Sequence, residues 1–238
     1  MPRVTVFAIV EGQTENSALK KLLGAHLGAL GIDFHTPIIR MGRSRGGVKY
    51  LHVADLCEQV RRFMLDPRQP VVTTFFDYYA FPTGTSKGWE FVAHAKATAQ
   101  GIHATVQAIE TELRRLVLRS VGDVAYAERR FIPYLQLHEL EALFFSEPKT
   151  MATVFENPAL EKSFANIVST CGGCELINDS PQTAPSKRIE KLCPGYVKGR
   201  SELAHGPRIA GKLDLVRVRK ECLKFSLWVK SLEQLINP

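Results

Sequence analysis

Val4-Thr5-Val6-Phe7-Ala8-Ile9-Val10, followed at once by Glu11-Gly12, is the stretch on which the fold reading turns. A short run that is largely apolar and β-branched, without polar alternation, predicts a strand covered on both faces, and so a parallel sheet. From Glu15 a helical pattern follows, with Ala18, Leu19, Leu22, Leu23, Leu27 and Leu30 on one face and Gly31 as its stop. Residues 34–40 predict a second strand, and 48–65 a helix closed by Asp66-Pro67. Val71-Val72-Thr73-Thr74-Phe75-Phe76 reads as a third buried strand ending at Asp77, and 131–137 as a fourth. Between them, 81–88 is a loop by its Pro and Gly content, and 89–118 is helical with a break near Gln100-Gly101. A helical pattern over His138-Glu139-Leu140-Glu141-Ala142-Leu143-Phe144-Phe145 follows the fourth strand, and basic helices over 207–216 and 218–236 close the chain. Strands alternating with helices imply βαβ units, hence an α/β fold with a parallel sheet flanked by helices and a helical C-terminal part. The expected division is an α/β core over 1–146 and a helical, basic region over 147–238 packed on it.

Composition narrows the class. The chain has 238 residues, 45% hydrophobic and 23% charged, a globular profile that needs no disulfides to build a core. No apolar run approaches the roughly 20 residues of a membrane helix, and the N-terminus lacks a signal-peptide pattern. The expected location is the cytoplasm, where five scattered cysteines read as reduced thiols. Net charge is +7, and all of it lies in residues 185–238, with 12 Lys/Arg against 5 Asp/Glu. Such a tail points to a polyanion partner or to a solvated helix surface.

In an open parallel sheet, ligands sit at the carboxyl ends of the strands. Glu11, Asp77 and His138-Glu139 stand just past three predicted strands, and Glu15 follows Glu11 by four residues. Carboxylates converging on one rim repel one another unless a cation lies between them, and an all-oxygen set favours Mg²⁺ or Mn²⁺ over zinc. The bland alternative is that each acid caps the helix that follows it. On a helix Glu139 and Glu141 would point about 200° apart, so only one could face the rim, whereas on a strand they would share a face. Arg40, Arg43 and Arg45, with Gly42, Gly46 and Gly47 among them, could cradle a phosphate backbone or form an ordinary solvated loop. Cys171-Gly172-Gly173-Cys174 is a lone C-x-x-C without a second close pair, read as a Gly-rich loop with buried thiols ahead of a zinc site. Gly84-Thr85-Ser86-Lys87-Gly88 lacks the spacing of a nucleotide-binding loop.

At these residues the sequence resembles the bacterial domain of unknown function 4276 family, whose members look like TOPRIM-type domains. The likeness runs through Val10-Glu11-Gly12-Gln13-Thr14-Glu15, Thr73-Thr74-Phe75-Phe76-Asp77-Tyr78-Tyr79 and Phe131-Ile132-Pro133-Tyr134-Leu135-Gln136-Leu137-His138-Glu139-Leu140-Glu141-Ala142-Leu143-Phe144. It continues through Ile177-Asn178-Asp179, Thr183-Ala184-Pro185-Ser186-Lys187-Arg188-Ile189 and His205-Gly206-Pro207. TOPRIM folds occur in topoisomerases, primases and overcoming-lysogenization-defect nucleases, so the resemblance implies Mg²⁺-dependent phosphodiester chemistry. It matches Glu11 and Glu15 to two early glutamate ligands, Asp77 to the first aspartate of an Asp-x-Asp pair and, by order and character, Lys187 to a catalytic lysine. Tyr79 stands where the second aspartate belongs, which leaves Glu139 or Glu141 to supply that ligand and leaves one metal or two open.

The expected function is therefore a metal-dependent nuclease acting on DNA or RNA. Its catalytic set is Glu11, Asp77, His138 and Lys187, with His138 as ligand or general acid/base. Metal ligands are drawn from Glu11, Glu15, Asp77, Glu139 and Glu141, and the nucleic acid is gripped by Arg40, Arg43, Arg45, Lys187 and Arg188. Family members resemble partner subunits of ABC-type ATPases in anti-phage defence, which implies an ATPase partner, and a homodimer fits as well. The alternative is a catalytically inactive TOPRIM-like subunit that docks the ATPase.

Overall fold

A computed structural model describes residues 3–41, 44–45, 47–79, 81–82, 87–122, 124–177, 180, 182–196 and 202–236, without the side chains of 41, 44, 45, 49 and 202–204. Its elements in chain order are β1 (Val4–Val10), α1 (Gln13–Ala29), β2 (Ile32–His35), a small hairpin of β3 (Arg40–Met41) and β4 (Ser44–Arg45), α2 (Val53–Met64) and β5 (Val71–Asp77). There follow α3 (Glu90–Thr98), α4 (Ile102–Val121), the one-turn α5 (Ala127–Arg130), β6 (Phe131–Ile132) and β7 (Leu135–Gln136). The C-terminal part holds α6 (Pro148–Val154), α7 (Leu160–Cys171), α8 (Pro185–Leu192), α9 (Glu202–Ala210), α10 (Leu215–Glu221) and α11 (Leu223–Glu233). The chain divides into two compact units, 1–12 with 31–135 and 13–30 with 136–238. Among the described residues, no helix is long and apolar enough to cross a membrane.

The first unit is the α/β part. β1 pairs in parallel with β2 on one side and β5 on the other, and β5 pairs in parallel with β6, giving the order β2-β1-β5-β6 with β7 also on β5. Burial follows from composition: every residue of β5, and every residue of β1 after Val4, is inside. The register sets Val10 beside Phe75, so β1 and β5 finish side by side.

Three predicted elements are interrupted, each for an identifiable reason. The fourth strand breaks at Pro133, which has no N–H for the ladder. Thr74 fills the gap, its hydroxyl donating to Tyr134 O at 2.9 Å and accepting from Tyr134 N at 2.8 Å. The second strand runs over Ile32–His35 instead of 34–40, and beyond it Ile39 N donates to Val10 O at 2.8 Å while Val10 N donates to Pro37 O at 2.9 Å. The helix expected over 48–65 begins as a 3-10 turn, Val48–Tyr50, and restarts at Val53. Between them Leu51 O accepts the Trp89 indole at 2.7 Å and Val53 N donates to Lys87 O at 2.9 Å, bonds that hold this stretch outside a helix. The break at Gln100-Gly101 is present, with Gly101 at φ 86° between α3 and α4.

Arg130 is a feature of this unit that the sequence did not flag. It is 8% exposed and donates to three main-chain carbonyls: Nε to Pro70 O at 3.0 Å, Nη2 to Met64 O at 2.6 Å and Nη1 to Ala125 O at 3.3 Å. Burial pushes its pKa down.

The second unit is helical. α1 packs on α9, and α6 on α7. The segment predicted as a helix from His138 is a fully buried 3-10 stretch, Leu140–Ser146. Gly172, at φ 80°, ends α7 in the left-handed region, and Gly173 N donates to Val168 O at 3.0 Å, so the glycines of the C-x-x-C serve as a helix stop. Cys174 and Cys222 are free thiols, and a side-chain hydrogen bond from Cys174 together with burial raises the Cys222 pKa well above the ordinary thiol value. Three helices close the chain instead of two. Asp214 Oδ1 accepts Val216 N at 3.0 Å and starts α10, and Cys222, at φ −122° and ψ 83° outside the helical region, separates α10 from α11.

Glu233 of α11 takes His26 Nε2 at 2.6 Å and Arg219 through two bonds of 2.5 and 3.0 Å. Burial alone would raise its pKa, but bonds from Arg219 and His26 outweigh it and hold the carboxyl below its usual value. A depressed carboxyl stabilises the fold above the unfolded pKa and loses that contribution as pH falls through the folded one. Glu233→Gln should therefore flatten part of the acid dependence of the melting temperature below about pH 4.3, the unperturbed glutamate value.

Candidate metal and nucleic-acid site

Glu11 is the first residue after β1, and Asp77 is the last of the neighbouring β5. Parallel pairing therefore delivers both acids to the carboxyl edge of the sheet, the edge at which α/β proteins hold ligands. The Glu11 carboxylate is fixed from two sides. Oε1 accepts Asp77 N at 3.1 Å, and Oε2 accepts Val48 N at 3.0 Å. The two amide bonds use two of a carboxylate's about four acceptor positions and set its plane. Gly47 leaves room beside it: a Cβ there would lie 2.5 Å from Glu11 Oε2, so the carboxylate would have to move. Gly47→Ala is expected to push the carboxylate off its amides and cost about 1–2 kcal/mol, read as a lower melting temperature. If the melting temperature is unchanged, the bracket is not what holds this loop.

The second unit carries the other nominated residues. Glu15 lies in the first turn of α1. His138 is 4% exposed and sits at φ 62°, a left-handed conformation that costs a non-glycine residue about 1 kcal/mol or more and recurs at functional sites. Glu139 and Glu141 are each 2% exposed. Glu139, extended at φ −144°, accepts Ser186 N at 2.9 Å in the first turn of α8, whose orphan amides favour a carboxylate. Glu141 Oε1 accepts the Tyr196 hydroxyl at 3.1 Å. The choice posed by the sequence thus resolves into two buried carboxylates with separate partners. Lys187 donates to Glu190 at 2.7 Å on the surface of α8, and Arg188 Nε donates to Thr183 O at 2.8 Å.

In the basic loop, Arg40 is exposed, and its main chain exchanges two 2.9 Å bonds with the Gln59 side chain. Arg45 pairs with it across the hairpin through the main chain, while Arg43 and the Arg45 side chain lie outside the described residues. Tyr79, at the position of the missing aspartate, is 38% exposed. Among the described residues, no three His, Cys, Asp or Glu side chains are gathered as a ready ligand group.

Sequence reasoning missed the groups that position these acids, the amides of Val48, Asp77 and Ser186 and the Tyr196 hydroxyl, and it read Gly47 as part of a phosphate cradle or a solvated loop. A main-chain donor carries no residue-type signal. Only Gly46-Gly47 hinted at a close approach.

The family model described as Domain of unknown function (DUF4276) matches residues 10–233. No curated protein matches the sequence, and no solved structure matches the fold.

Proposed function

The chain belongs to the DUF4276 family, whose description names no activity, and from the acid pair together with the resemblance noted in the sequence we propose a Mg²⁺- or Mn²⁺-dependent nuclease acting on DNA or RNA. The observation that carries this reading is the Glu11–Asp77 pair at the ends of adjacent parallel strands, tied by the 3.1 Å bond. The donors fit a hard divalent cation, since both are carboxylates and one is pre-oriented by two amides. When bound, such an ion supplies Lewis acidity to a phosphate oxygen and lowers the pKa of water.

The chain's own residues have distinct tasks. Glu11 and Asp77 would hold the cation; Glu15, Glu139 and Glu141, the further ligands expected from the sequence, lie in the second unit. Asp77 cannot shift without breaking its amide bond to Glu11, which keeps the two acids in register. In the second unit, His138, fixed by its backbone and burial, would move or hold a proton, and Lys187 would offset phosphate charge, the roles expected of them from the sequence. The TOPRIM likeness supports this assignment and also the wider role of a cutting subunit for an ABC-type ATPase in anti-phage defence.

A second reading, a TOPRIM-like subunit without catalysis that docks the ATPase, is favoured by one observation. The acids already perform structural work: Glu139 serves the first turn of α8 as Glu175 serves that of α11, where its carboxylate accepts Lys224 N at 2.9 Å and Phe225 N at 3.0 Å. The test is cleavage of plasmid DNA and total RNA with Mg²⁺, Mn²⁺ or EDTA, with and without an ABC-type ATPase encoded beside the gene. Metal-dependent cutting that disappears in Asp77→Asn supports the nuclease. Intact substrates under every condition would leave the docking subunit.

A further inference from the structure

Two hollows in the second unit share one arginine. The larger, of about 450 Å³, is walled by Phe155, Tyr196 and His205, with Asn157, Glu156 and Arg208 on its lining. Phe155 and His205 are stacked, with centroids 5.0 Å apart and planes 20° from parallel. Tyr196 meets both rings at steep angles, 80° to Phe155 and 65° to His205, with centroids 6.1 Å away in each case. The smaller hollow, of about 360 Å³, is lined among the described residues by Lys21, Arg208 and Lys212 with Pro207 and Gly211, so the charged side chains described on it are all cationic. Gly211 keeps it open on the lysine side: a Cβ there would lie 3.2 Å from Lys21 Cδ.

We propose that these neighbouring hollows hold one nucleotide, its base against the Phe155–His205 pair, with the buried Tyr196 behind it, and its phosphate among Lys21, Arg208 and Lys212. The chemistry divides in that order. Aromatic faces accept any base by stacking, and the amide of Asn157 and carboxylate of Glu156 offer hydrogen-bond partners to a base edge. Three cations, with no acid among the described lining residues, select an anion, and Arg208, exposed and common to both hollows, can serve base and phosphate alike. An apolar ligand would leave the cations unused, and inorganic phosphate would leave the aromatic walls unused.

The site also touches the candidate chemistry. Tyr196, which forms one wall, is the residue whose hydroxyl bonds Glu141. A nucleotide seated here is thus one side chain away from a nominated metal ligand. The inference rests on the nuclease reading only in preferring a nucleotide within a strand over a free one.

The test is binding in EDTA, where no cleavage intervenes, by calorimetric titration of the full chain with AMP, a short oligothymidylate and inorganic phosphate. Saturable binding of AMP or the oligonucleotide is expected, weakened at least about tenfold by Arg208→Ala and by His205→Ala, with phosphate much weaker. Oligothymidylate binding at least about tenfold tighter than AMP identifies a strand, and equal affinities identify a free nucleotide, either result supporting the site. Arg208 is exposed, so its removal is expected to leave the fold intact even if His205→Ala misfolds. Three results would overturn the inference: no saturable binding, binding untouched in folded Arg208→Ala, or phosphate binding as tightly as AMP. The last would mean that the cations serve only an anion or the carbonyl end of α9. A chain that binds nucleotide yet never cuts would sink the nuclease alone, and one that cuts with these hollows empty would sink this site alone.

Discussion

Asp77→Asn is expected to lower metal-dependent cleavage by at least about a hundredfold while the chain stays folded. The side chain loses the charge that holds a cation. The bond that ties Asp77 to Glu11 comes from the Asp77 main chain and survives the substitution. Glu11→Gln should lose activity to a similar degree and, unlike Asp77→Asn, should also lose stability. Each Glu11 oxygen accepts an amide, so the glutamine NH₂ must face an N–H donor in either of its two orientations. One hydrogen bond is lost, about 1–2 kcal/mol. Comparing the two melting temperatures separates the metal-holding role of the pair from its bracing role. Equal activity in wild type and Asp77→Asn would remove Asp77 from the chemistry.

Arg130→Met is expected to cost about 3 kcal/mol, the largest effect on stability among the substitutions considered. The guanidinium ties the end of α2 through Met64, the approach to β5 through Pro70 and the turn before α5 through Ala125. Methionine fills much of the volume but leaves those carbonyls without their donor in a buried setting. For a chain of this length the cost corresponds to a fall of about 6–12 °C in melting temperature. Arg130→Lys should recover part of the loss, because it keeps a charge but not the planar fork that reaches three acceptors. A shift under about 2 °C for Arg130→Met would show that water replaces the guanidinium at no cost.

The parts of this molecule that were legible in the sequence are those set by periodicity. Val4–Val10 and Val71–Asp77 announced buried parallel strands by unbroken apolar content, and Gly101 announced the break between α3 and α4. The interruptions were less legible because each depends on a distant partner. Pro133 marked the gap in the fourth strand, but not that Thr74 would bridge it. Nothing in residues 48–65 recorded that Leu51 would give its carbonyl to Trp89. The same divide runs through the site. Glu11 and Asp77 were legible as acids at strand ends, whereas their mutual bond depends on register. Tyr196 carried no motif at all, and its place beside Glu141 is a tertiary fact.

The most direct test of the central claim is calorimetric titration of the full chain with Mn²⁺, wild type beside Asp77→Asn. The nuclease account predicts saturable binding to wild type and binding weakened at least about tenfold in the variant. Heats that match buffer dilution for both proteins, or affinities that do not differ between them, would contradict it.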